Sequence, residues 1–136
     1  MYAKLTAALS AGLFLSTMPM LAHHSFAAEF DQTKSITVTG VVTKVEWTNP
    51  HIHIYVDVKE EDGKIVHWDF ESGSPNGLGR QGWTRNTLKV GETVTVQGFR
   101  AKDGSNLASA GMVKLADGRQ ILEGAGDAGS AGSKPN

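Results

Sequence analysis

The chain of 136 residues contains no cysteine. It therefore has neither disulfides nor thiolate metal sites, and thiol catalysis is excluded. Basic residues are not in excess: 13 Lys and Arg face 14 Asp and Glu. A protein that grips nucleic acid through its phosphates needs a basic surface, so nucleic acid is not an expected partner. Long apolar runs are also missing, except near the start. Leu5 to Leu15 is uncharged, follows Lys4, and leads through Pro19 to Ala22. That order of positive start, apolar middle and small residue is a secretory signal, with Met20 its one atypical feature. The run falls short of the roughly 20 apolar residues that a membrane span requires. Residues 1–22 are thus read as a cleavable signal peptide, which makes the mature protein an exported one with no membrane span. With Lys4 removed, 12 basic residues stand against 14 acidic ones, a net charge of −2. There is also no G-x-S-x-G, no phosphate loop and no triad-like arrangement around Ser25. The sequence is that of a binding protein rather than an enzyme, with copper-dependent redox activity as the minority alternative.

What is present is mostly strand. Ser35 to Trp47 is rich in β-branched residues, and its alternation through Ile36, Val38, Gly40 and Val42 shifts to Val45 and Trp47. A slip of one residue near a glycine predicts a bulge that curves the strand. His51 to Lys59 and Lys64 to Glu71 each place even-numbered apolar residues on one face and odd-numbered polar residues on the other. Glu61-Asp62-Gly63 between them is a hairpin loop. Parity then pairs Glu60 with Lys64, and on the outer face Asp57 with His67, Tyr55 with Asp69, and His53 with Glu71. Ser74-Pro75 is a helix start, and Gly77, Gly79 and Gly82 keep that helix short. Strands follow over Thr93 to Arg100, Leu107 to Leu115 and Arg119 to Leu122, separated by turns at Lys102 to Ser105 and at Asp117-Gly118. The fold class is mainly β: a small OB-like barrel of five to six strands with one short helix between strands 3 and 4. The divisions are a signal at 1–22, an N-terminal segment at 23–34, the barrel at 35–122 and a disordered tail at 123–136.

Five histidines carry the functional argument. Cleavage after Ala22 makes His23 the first residue, so its amine and imidazole can chelate one ion, with His24 beside them. Amine and imidazole nitrogens are ligands that Cu(II) favours. His51 and His53 share a strand face with Glu71, a second set of candidate metal ligands. The metal-ligand set is therefore His23, His24, His51, His53 and Glu71, with copper the first candidate and zinc the second. The competing readings are solvated surface for the strand histidines, a surface ion pair for His67 with Asp57, and plain core for Trp47, Trp68, Phe70, Trp83 and Phe99. Arg80, Arg85, Arg100 and Lys102 are read as solvated surface rather than an anion site. A non-metal module that recognises a periplasmic partner, whether peptide, glycan or envelope component, is the alternative function.

The combination of His23-His24-Ser25-Phe26, the Val42 to His53 segment ending in W-T-N-P-H-I-H, W-x-F-E at Trp68 to Glu71, and L-K-V-G-E-T-V-T-V-x-G-F at Leu88 to Phe99 resembles a family of small exported Gram-negative proteins catalogued as a domain of unknown function. That resemblance spans nearly all of residues 23–122. It implies a periplasmic OB-like barrel and implies no activity.

Overall fold

A computed structural model describes residues 26–122. The signal segment, His23, His24 and the C-terminal tail named above lie outside them. The elements run β1 (Phe30–Glu46), β2 (His53–Lys59), β3 (Ile65–Glu71), α1 (Pro75–Arg80), β4 (Thr93–Ala101), β5 (Leu107–Leu115) and β6 (Gln120–Leu122). Among the described residues no helix is long and apolar enough to cross a membrane.

The sheet order is β3-β2-β1-β4-β5-β6, and a further pairing joins β3 to β5. Five strands therefore form a ring, β1-β2-β3-β5-β4, with β6 added on β5. All pairings are antiparallel except β3 with β5, which is parallel and short, Asp69 to Glu71 against Leu107 to Ser109. The helix sits between the third and fourth strands, as the OB arrangement requires.

One strand serves two neighbours. β1 pairs with β4 from Phe30 to Val41 and with β2 from Val41 to Glu46. Gly40 marks the changeover: a Cβ there would lie 2.2 Å from the Asp57 carbonyl oxygen. The predicted slip is a bulge between Val42 and Lys44, where Thr43 is the extra residue. It switches the inward side chain from Val42 to Val45 and bends β1 round the barrel. β1 also begins earlier than its β-branched run, because Phe30 is buried and pairs with Ala101. Phe26 packs on Phe30 with ring centroids 5.3 Å apart. The Lys102 amide donates to the Glu29 carbonyl, 2.8 Å. The start of the described chain is thereby docked on the end of β4.

The β2–β3 hairpin follows the parity register at every pair from His53–Glu71 to Asp57–His67, and Glu60 donates to the Lys64 carbonyl at its turn. Inside lie Ile52, Ile54, Val56, Trp68 and Phe70, joined by Val42, Val94, Val96, Ala108, Val113 and Leu115. Leu78 of α1 closes this core, with Trp83 and Leu88 from the following loop. Ser74 caps α1 by accepting from the Gly77 amide, 3.0 Å. Of the aromatic residues expected in the core, Trp68, Phe70 and Trp83 are buried and Trp47 packs against them, whereas Phe99 is only half-buried. Arg100 lies over the Trp68 ring and donates to the Gly104 and Ser105 carbonyls, so it braces a turn.

Candidate functional site

The outer face of β1, β2 and β3 gathers the histidines of the described chain. Past the end of the ladder, Ser72 donates to the Ile52 carbonyl (2.7 Å) and Ile52 to the Gly73 carbonyl (2.9 Å). These two bonds carry the hairpin geometry back to His51. The His51 Nδ1 then meets the Ser72 carbonyl at 3.1 Å. A carbonyl can only accept, so this nitrogen bears the proton. In the neutral ring Nε2 keeps its lone pair, and it stands 3.4 Å from the Glu71 Oε1. Two acceptors at that separation attract each other only through a proton or a cation between them. Two donors each about 2.0–2.2 Å from one tetrahedral ion stand roughly 3.3–3.6 Å apart.

His53 turns elsewhere. Its backbone is opposite Glu71, as parity requires, but its Nδ1 bonds the Asp69 Oδ1 at 2.8 Å. Both contacts, His51 with Glu71 and His53 with Asp69, run diagonally in the same sense across the hairpin. The right-handed twist of a two-stranded ribbon brings one set of diagonal neighbours together. The structure thus joins His51 with Glu71 and directs His53 to Asp69. Among the described residues no three His, Asp or Glu side chains converge to hold a metal ion. His67 is bonded to Asp57 directly opposite and is largely exposed, the ion pair expected of it.

The face continues into β1. The Tyr55 hydroxyl donates to Glu46 (3.2 Å), Glu46 also pairs with Lys44, and the Lys44 ammonium lies over the Tyr55 ring. The His53 and Tyr55 rings stack at 6.3 Å. Burial, then the nearby Asp69 and Glu46 charges, pushes the Tyr55 hydroxyl above its ordinary value. Glu71 is also raised, first by burial and then by the Glu29 carboxylate, with His51 and His53 acting in the opposite direction. The observed contacts of this segment are those of Phe26 with Phe30 and of the Glu29 carbonyl with the Lys102 amide, at the end of β4.

Asp69, Tyr55, Glu46 and Glu29 are the participants that pattern reading does not single out. A diagonal offset of two would have nominated Asp69. Nothing local to Glu29 signals that its charge acts on Glu71.

These features define a class: a small OB-like β-barrel with a histidine- and carboxylate-lined outer face on its second and third strands. The chain belongs to the Family of unknown function (DUF6152), whose model matches residues 12–110. No curated protein matches it. Among solved structures, the crystal structure of the mitochondrial single-stranded DNA binding protein Rim1 from S. cerevisiae overlaps 64% of this chain and 94% of that one, with 10% identity and a TM-score of 0.48.

Proposed function

We propose that this protein is a periplasmic metal-binding module, with copper as the first candidate ion and zinc as the second. The observation that carries the proposal is the His51–Glu71 pair. Its imidazole is anchored through Nδ1 to a backbone carbonyl and presents Nε2 to a carboxylate oxygen 3.4 Å away. Metal-ligating histidines are commonly held in this way, with the second ring nitrogen bonded to the protein. Two donors do not make a tight site, and His23 with His24 supply the remainder. His24 is two residues from Phe26, a span of at most about 7 Å, and Phe26 is packed on Phe30 at the start of β1.

Calorimetric titration of mature protein beginning at His23 should show one Cu(II) per chain. His51→Ala or Glu71→Ala should weaken uptake by about tenfold or more, the range that follows loss of a metal-site partner. One extra N-terminal alanine should weaken it further by removing the terminal chelate. Equal affinity in all four proteins would reject the proposal.

The stacked His53 and Tyr55 rings, framed by Glu46, Asp69 and Lys44, favour a second reading. In it the OB face recognises a peptide, glycan or envelope partner without metal. Capture of a periplasmic partner that survives both chelator and His51→Ala would support that reading over the first.

A further inference from the structure

Glu71 stands opposite His53 in the backbone register, yet the side chain that His53 engages is Asp69. A carboxylate can only accept, so in the neutral ring the proton of His53 resides on Nδ1. The ring stacks on Tyr55, whose hydroxyl is tied to Glu46, which is tied in turn to Lys44. The His53 side chain is 27% exposed. His51 is arranged in the same way by a different acceptor, the Ser72 carbonyl. Two imidazoles on one strand face, two residues apart, are thus both pinned through Nδ1. A solvated strand face requires polarity only; it does not require the same nitrogen to be tied down twice by unrelated partners.

We infer that Asp69 is a positioning residue: it holds His53 in the Nδ1–H tautomer so that Nε2 remains a bare donor for a divalent transition metal, parallel to the Nε2 of His51. The part concerning the ligand rests on the metal-binding reading above, while the part concerning the tautomer does not. Asp69 itself contributes no donor to the ion. It acts through the ring, fixing its orientation and which of its nitrogens is left to bind.

Long-range proton–nitrogen NMR of the full mature chain with labelled histidine reads the tautomer directly. The measurement is made at pH about 8, well above the ordinary imidazole pKa of about 6.5. Protonated Nδ1 and unprotonated Nε2 are expected for both His51 and His53. In Asp69→Ala, His53 should pass to the Nε2–H form while His51 stays as it was. In Asp69→Asn, where the amide oxygen can still accept, His53 should keep its tautomer. Zn(II), which is diamagnetic, should then shift Nε2 of both rings in the wild type, and Asp69→Ala should weaken its retention by about tenfold or more. An Nε2–H tautomer at His53 in the wild type, protons on both ring nitrogens, or a His53 unchanged by Asp69→Ala would overturn the inference. If the tautomers are as described but Zn(II) moves neither Nε2, the positioning of His53 stands and the metal-binding reading falls.

Discussion

β2 and β3 have two sides that obey different rules. Their inner side, with Ile54, Val56, Trp68 and Phe70, excludes water and belongs to one core with residues of β1, β4 and β5. Their outer side, with His53, Tyr55, Asp57, His67, Asp69 and Glu71, is a run of polar side chains bonded mostly to one another. The inner side gives an energetic reason for the fold, since each buried aliphatic or aromatic residue contributes about 1.5–3 kcal/mol. The outer side gives no such reason. Polar groups there could be solvated individually, yet they are paired, and one of them opposes folding. Glu71, raised by burial and by Glu29, is harder to ionise in the native state than in the unfolded chain. A face that is organised beyond what solubility requires, at some cost to stability, is where a binding role is to be sought.

The contrast can be broken from either side. The largest effect belongs to the interior: Phe70→Ala removes a fully buried ring and should cost ~3–5 kcal/mol in urea unfolding, enough to threaten the fold. Gly98→Ala comes next. A Cβ at Gly98 would lie 1.7 Å from the Ser109 carbonyl oxygen, and a backbone atom has no rotamer by which to give way. The β4–β5 ladder must then part locally, with a loss of about 1–3 kcal/mol in the same measurement.

Outer-face changes should be far milder for stability. His51→Ala and His53→Ala should each change the unfolding free energy by no more than about 1 kcal/mol, the range of partly exposed ion pairs. A loss comparable to that of Phe70→Ala would mean that the face is structural after all. The smallest effect has the opposite sign. In the metal-free protein Glu71→Gln should raise the Tm at neutral pH by up to about 4 °C. The sign follows from linkage. A carboxyl whose native pKa is raised holds its proton longer in the folded state, so folding is favoured at low pH and loses that advantage as pH rises from the ordinary glutamate range through the raised value. The gap between variant and wild type should accordingly close on acidification below that range. A gap independent of pH would show that the carboxylate charge is not its source.

Much of this architecture can be read along the chain. Period-two alternation with even residues inward sets the β2–β3 register, because a one-residue slip would expose Ile54, Val56, Trp68 and Phe70 together. The slip near Gly40 gives the bulge, and Ser74-Pro75 gives the start and cap of α1. The early start of β1 is not legible in the same way. Asp31 to Lys34 are exposed or partly exposed and follow no alternation, and only the burial of Phe30 against the end of β4 draws them into the strand.

The sequence by itself determined which residues face outward together and which backbone pairs oppose, since strand parity and turn length are local properties. Tertiary structure alone decided which side chains meet. Strand twist moved His53 from Glu71 to Asp69 and His51 onto Glu71, and closure of the ring set Phe30 against Ala101 at the end of β4. Both are consequences of how strands wrap around a filled core, a geometry that no single strand carries.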